Sequence, residues 1–264
     1  MTTRPVGVFD SGIGGLSVLR ALRSELPHQR FVYLADSGHA PYGERDATHV
    51  IARSRAITRY LREIHDIQTL VVACNTATAA AIHLLRAEHP DLPIVGLEPA
   101  LKPAALASRT HRVGVLATRG TLQSTKFQTL HQSLANQADF VLRACDGLAD
   151  AIEHQDLPRI QALASEHVAA LGRCGSAAGE IDTVVLGCTH YPLILPTLRD
   201  LLGPQVTLQE SGVPVARQTR RMLPQAAETG EHPPLWYTTG DADELQAAVR
   251  RWLQAQARVE TLKL

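Results

Sequence analysis

Short apolar and β-branched runs alternate along the chain with longer stretches whose apolar residues recur every three or four positions. The runs predict strands over residues 6–9, 30–34, 69–73, 94–97, 112–116, 139–144, 183–186, 206–209 and 235–238. The stretches between them predict helices over 16–26, 48–64, 76–88, 121–137, 157–171, 194–202 and 213–222, and the tail 242–256 reads the same way. Parallel neighbours need a crossover, and a helix supplies it, so this alternation predicts an α/β fold of parallel sheets flanked by helices. Ligand groups are then expected at the carboxyl ends of strands.

The pattern also repeats at long range. Val6-Gly7-Val8-Phe9-Asp10-Ser11-Gly12 resembles Val113-Gly114-Val115-Leu116-Ala117-Thr118-Arg119-Gly120, the segment around Cys74 resembles that around Cys188, and Ile94 to Glu98 is echoed by Val206 to Glu210. The offsets stay at roughly 107 to 114 residues and keep their order, which predicts two related α/β lobes with a ligand between them.

Composition narrows the function classes. The 264 residues suffice for two domains with cores of their own, and 45% of them are apolar. Lys plus Arg equals Asp plus Glu at 26 each, so no overall charge draws the chain to nucleic acid or an anionic membrane. The start, Met1-Thr2-Thr3-Arg4-Pro5, leads into the first strand without the form of a signal peptide, and no run approaches the roughly 18 apolar residues of a membrane span. A soluble, cytoplasmic protein is the expectation. There the four cysteines, none in a Cys-x-x-Cys, are expected as free thiols. Cys188-Thr189-His190 is the only tight Cys/His pair, and its spacing with Cys74 fits no common zinc site, so no metal is expected.

Cys74 and Cys188 each follow a β-branched run and precede a hydroxyl or amide residue, which is how a strand delivers a reactive side chain to a loop. A single cysteine in that setting reads as core packing; the doubling, with His190 two residues from one member, points to a pair of thiols at one site. A thiol of ordinary pKa near 8.5 is only a few per cent ionised at neutral pH, so each needs a helper, and Asp10 and His190 are the natural ones. Three loops remain open to two readings. Asp10-Ser11-Gly12-Ile13-Gly14-Gly15 is either an anion site at a helix start or a tight turn, and it lacks the Gly-x-Gly-x-x-Gly pattern of dinucleotide sites. Ala35 to Glu44, with Ser37, Pro41, Tyr42 and Gly43, is either a substrate loop or a surface turn. Thr118, Gly120 and Thr121 either bind a polar group or cap the next helix.

Taken together, the segments Val8 to Ser17, Asp36 to Glu44, Ala73-Cys74-Asn75-Thr76-Ala77, Leu116 to Thr121 and Leu186 to Pro192 resemble the glutamate racemases of the aspartate/glutamate racemase superfamily, and the likeness extends to Tyr237 to Asp241. The resemblance implies two pseudosymmetric three-layer α/β domains with the active site in the cleft between them. The first would comprise 1–100 plus 211–264 and the second 101–210. It implies no cofactor, a homodimer, and supply of D-glutamate for peptidoglycan. Cys74 would exchange the α-proton of D-glutamate and Cys188 that of L-glutamate, tuned by Asp10 and His190, with Glu153 as a further assisting carboxylate. Ser11, Pro41, Tyr42, Gly43, Asn75, Thr76, Thr118, Thr121 and Thr189 would join Asp10, His190 and the two cysteines around the substrate.

Two departures stand out from that likeness. The stretch Cys145 to Glu153 lacks the expected proline-containing pattern, which leaves Asp150 as an alternative to Glu153. Ala40 stands before Pro41 where phenylalanine is usual, which leaves room for a broader substrate choice. A racemase for aspartate or several amino acids, and a non-catalytic amino-acid-binding regulator, are the competing expectations.

Overall fold

The computed structural model describes residues 4–223, 230 and 232–264; Met1 to Thr3, part of the start noted above, lie outside the described residues. The chain divides into two compact units, one of residues 1–97 and 212–264, the other of 98–211.

In the first unit the strands are β1 (Val6–Asp10), β2 (Phe31–Ala35), β3 (Thr69–Val72), β4 (Ile94–Gly96), β9 (Leu235–Thr238) and β10 (Val259–Thr261). They form one sheet in the order β10-β9-β2-β1-β3-β4, with every pairing parallel. The second unit holds β5 (Arg112–Ala117), β6 (Asp139–Ala144), β7 (Thr183–Gly187) and β8 (Thr207–Gln209), ordered β6-β5-β7-β8 and again parallel throughout. The order β2-β1-β3-β4 is thus repeated strand for strand. Two equivalent amide bonds mark the repeat: Asp36 N–H donates to Asp10 O at 2.9 Å, and Cys145 N–H donates to Ala117 O at 2.9 Å. The α/β class with parallel sheets, expected from the alternation, is the class observed.

The crossovers of the first unit are α1 (Leu16–Glu25), α2 (Ala47–His65) and α3 (Asn75–Glu88), with α10 (Gly212–Met222) and α11 (Ala242–Leu253) near its end. The second unit carries α4 (Leu101–Ala107), α5 (Arg119–Gln123), α6 (Thr125–Ser133), α7 (Leu148–Glu153), α8 (Leu157–Ala169) and α9 (Leu195–Leu202). The central strands β1, β2, β3 and β7 are buried at every residue, as sheets covered on both faces require. Each unit has its own core. One packs Phe9, Leu34, Ile57, Leu61, Leu70 and Leu85 together, the other Leu101, Val113, Val115, Phe127, Phe140 and Val185.

Several local features differ from the sequence reading. The single helix expected over 121–137 is two, because Ser124 adopts an extended conformation and its Oγ accepts the Phe127 amide at 3.1 Å, which starts a second helix. The helix expected to reach residue 256 stops at Leu253, where Gln254 turns left-handed and the chain goes on to β10. Helices α4 and α7 and strand β10 are too short for their apolar pattern to stand out.

Candidate active site

In the first unit the carboxyl ends of β1 and β3 carry Asp10 and Cys74. Asp10 closes β1 wholly buried, and its Oδ2 accepts the Gly15 amide at 2.7 Å, so the turn into α1 folds around the carboxylate. A Cβ at Gly15 would stand 2.7 Å from Asp10 Cβ and 2.8 Å from the Tyr33 hydroxyl, which is why glycine is needed there. Phe9 pairs with Val72 and the Ala73 amide donates to Phe9 O at 2.7 Å, so Asp10 and Cys74 leave neighbouring strand ends.

Cys74 is the N-cap of α3. Its sulfur accepts the Ala77 amide at 3.5 Å, and its thiol lies 3.9 Å from Ser11 Oγ. A helix N-terminus carries partial positive charge and free N–H groups, both of which favour a thiolate. Asn75 and Thr76 follow in the first turn, buried. Among the described residues the buried Asn75 Nδ2 has no hydrogen-bond partner. Leaving such a donor unsatisfied costs about 1–3 kcal/mol, so a substrate oxygen is a fitting acceptor.

The segment after β2 runs through two single turns, Ser37–His39 and Tyr42–Glu44. Tyr42 and Gly43 are buried, and Pro41 follows a cis peptide bond. The Tyr42 hydroxyl donates to the fully buried Asp36 carboxylate. Burial, and next the Asp36 charge, push that hydroxyl far above the ordinary phenol range, so it stays protonated. Burial alone would raise the Asp36 pKa, but hydrogen bonds from Arg53, Tyr42 and Thr239 hold it below the usual carboxylate value.

In the second unit Cys188 leaves β7 at the position equivalent to Cys74 beyond β3. Its sulfur lies 3.7 Å from His190 Nδ1, and His190 Nε2 lies 2.7 Å from Glu153 Oε2. Burial opposes the charge on His190, but the bonds to Cys188 and Glu153 outweigh it and raise the pKa well above the ordinary imidazole value. Asp150, the alternative carboxylate, is engaged by Arg159 at 2.7 Å instead. Thr118 caps α5: its Oγ1 accepts the Thr121 amide at 3.2 Å and donates to Thr121 Oγ1 at 2.9 Å. Thr189 is buried beside these strand ends.

Each unit therefore assembles its own half of the expected residues. Asp10, Ser11, Tyr42, Gly43, Cys74, Asn75 and Thr76 belong to the first, and Thr118, Thr121, Glu153, Cys188, Thr189 and His190 to the second. Arg53 and Thr239, which hold Asp36, were not singled out from the sequence. An arginine within an amphipathic helix and a threonine after a strand look like ordinary surface residues until the fold brings them to the same carboxylate. Cys145 shows the opposite case: burial pushes its thiol up to about 12, so a sulfur close to this site is inert.

A sequence model described as Asp/Glu/Hydantoin racemase matches residues 16–220. The glutamate racemase of Ectopseudomonas mendocina (strain ymp) is 45% identical over 260 residues, covering 97% of this chain and 97% of the relative. Among solved structures, glutamate racemase isoform RacE1 from Bacillus anthracis is similar at a TM-score of 0.85 and 28% identity, over 100% of this chain and 99% of that one. Escherichia coli glutamate racemase, solved with L-glutamate and the activator UDP-MurNAc-ala, is similar at a TM-score of 0.82 and 30% identity, over 97% of each chain.

Proposed function

Because the chain belongs to the Asp/Glu/Hydantoin racemase family, we propose that it interconverts L- and D-glutamate without a cofactor, with Cys74 and Cys188 as its two proton-transfer groups. The observation that carries this reading is the repeat of β2-β1-β3-β4 as β6-β5-β7-β8, with a buried cysteine just beyond the third strand of each set. Inversion by proton transfer needs a base on one face of Cα and an acid on the other, and two like groups serve both directions.

In the D-to-L direction the Cys74 thiolate takes the α-proton and the Cys188 thiol supplies one to the opposite face. The C–H bonding pair passes to a planar carbanion and returns to a new C–H bond. The product leaves Cys74 protonated and Cys188 ionised, which is the state required for the reverse reaction; proton exchange with water restores the first. The two thiols are supported differently. Cys74 has the start of α3 and the Ala77 amide behind it, whereas Cys188 has an imidazole whose charge is held by Glu153. Carbanion formation without a cofactor asks for donors already aimed at the substrate carboxylate, a role that suits Asn75 and the main chain at Tyr42 and Gly43 in one unit and Thr118, Thr121 and Thr189 in the other.

The family likeness also supports a role in supplying D-glutamate to peptidoglycan, in the cytoplasm, by a homodimer. No described helix is long and apolar enough to cross a membrane. Incubation with L-glutamate and, separately, L-aspartate in D2O tests the reading. Inversion of glutamate with deuterium at Cα is expected. Preferred inversion of aspartate would favour a different substrate within the family, and binding without exchange would favour a regulator.

A further inference from the structure

Asp36 is fully buried and accepts hydrogen bonds from three separate pieces of chain. Tyr42 and His39 reach it from the segment that follows β2, His39 Nδ1 at 3.1 Å. Thr239, just beyond β9, donates from Oγ1 at 2.7 Å. Arg53, from α2, engages both oxygens side-on, Nε at 2.9 Å and Nη2 at 2.8 Å, while its Nη1 donates to the Leu264 carbonyl at 2.8 Å. The contact between the segment and β9 is tight. A Cβ on Gly38 would stand 2.5 Å from Thr239 O.

The geometry points to Arg53 as a positioning residue: through Asp36 it fixes the segment 37–44, and with it the main chain of Tyr42 and Gly43, in the form that receives substrate. This rests on reading that segment as part of the substrate site. The physical reason lies in what each form of Asp36 can do. An ionised carboxylate is an acceptor only, so Tyr42, Thr239 and His39 must all point donors at it; once protonated it becomes a donor and competes with them. A buried carboxylate without a cation favours the protonated form, and the Arg53 guanidinium prevents this. The groups facing the cluster are Arg53, His39, Tyr42 and Thr239, with His49 packed 5.9 Å from the His39 ring and 6.3 Å from the Tyr42 ring, and Cys74 near enough to influence Tyr42. Arg53 is thus the only arginine or lysine among the groups named around Asp36.

The experiment compares wild type with Arg53→Gln and Arg53→Lys. Kinetics with L-glutamate across pH are combined with hydrogen-deuterium exchange of the segment 37–44. Arg53→Gln is expected to raise KM about tenfold or more while kcat changes less, the size of one lost charge-assisted hydrogen bond. It should move the acid limb of kcat/KM to higher pH, because burial raises the Asp36 pKa once its cation is gone. Exchange should rise in 37–44 and stay unchanged in β1 and β3, and Arg53→Lys, which keeps the charge but loses the side-on fork, should restore the acid limb while recovering KM and exchange only in part. An unaltered KM, acid limb and exchange in Arg53→Gln would overturn the proposal. If wild type does not racemise glutamate, the functional reading fails and exchange alone decides between these outcomes. If Arg53→Gln does not fold, Arg53→Lys decides by the same exchange measurement: faster exchange confined to 37–44 supports the proposal and none overturns it.

Discussion

Glu153 and His190 form a carboxylate–imidazole pair, with Oε2 and Nε2 2.7 Å apart and both side chains at most one-tenth exposed. The other ring nitrogen faces Cys188, so the pair sets how firmly a proton is held beside that sulfur. Glu153→Gln keeps the shape and removes the charge. It is expected to lower kcat/KM for glutamate about tenfold or more, the equivalent of one pKa unit at His190, in a steady-state assay near pH 7. The loss must be the same in both directions, because the enantiomers are equal in free energy and the equilibrium constant is one.

The same pair makes a prediction about stability and pH. His190 has a raised pKa in the folded protein, so its contribution is fully present below the unfolded value of about 6.5 and is lost as pH rises through the folded value. Thermal melts of wild type and Glu153→Gln should therefore differ most at the lower end of a series from pH 6 upward and converge as it is raised. A gap that widens with pH would contradict the assignment.

Asp36 behaves with the opposite sign. Its folded pKa is depressed, so its contribution is present above the unfolded value near 3.9 and is lost as pH falls through the folded value. Asp36→Asn leaves Arg53 without its counter-charge in a buried setting, a loss of about 3 kcal/mol or more at neutral pH. Urea unfolding at pH 7 and again near pH 3 should show a large difference from wild type at the first and a smaller one at the second.

Cys145 provides a control among the thiols. Held near 12, it is ionised in only about one molecule in ten thousand at pH 8. Cys145→Ala should keep turnover within about threefold and cost on the order of 1–2 kcal/mol of stability for the lost buried sulfur. Mass-mapped alkylation of native wild type should leave Cys145 unlabelled while the half-buried Cys174 reacts.

The strand and helix order was legible because long apolar runs and helical periodicity are local properties. So was the equivalence of Cys74 beyond β3 and Cys188 beyond β7, since a repeated sequence leaves its mark whatever the fold. What could not be read were features decided by a few residues or by distant ones. Ser124 breaks a helix with one hydroxyl, and β10 is three mostly exposed residues recruited by the edge of β9. The choice between Asp150 and Glu153 depends on which face of the short helix α7 meets His190, and no periodicity marks a six-residue helix. Arg53 and Thr239 meet Asp36 across 17 and 203 positions, a distance no local pattern spans.

The central claim is that each thiol serves one enantiomer, and it is tested most directly by α-hydrogen exchange in the single-thiol variants Cys74→Ala and Cys188→Ala, each given L- and D-glutamate separately in D2O. Neither should racemise. Cys188→Ala should exchange the α-hydrogen of D-glutamate without inverting it, and Cys74→Ala that of L-glutamate. Continued racemisation by either variant, or exchange of both enantiomers by the same remaining thiol, would contradict the account.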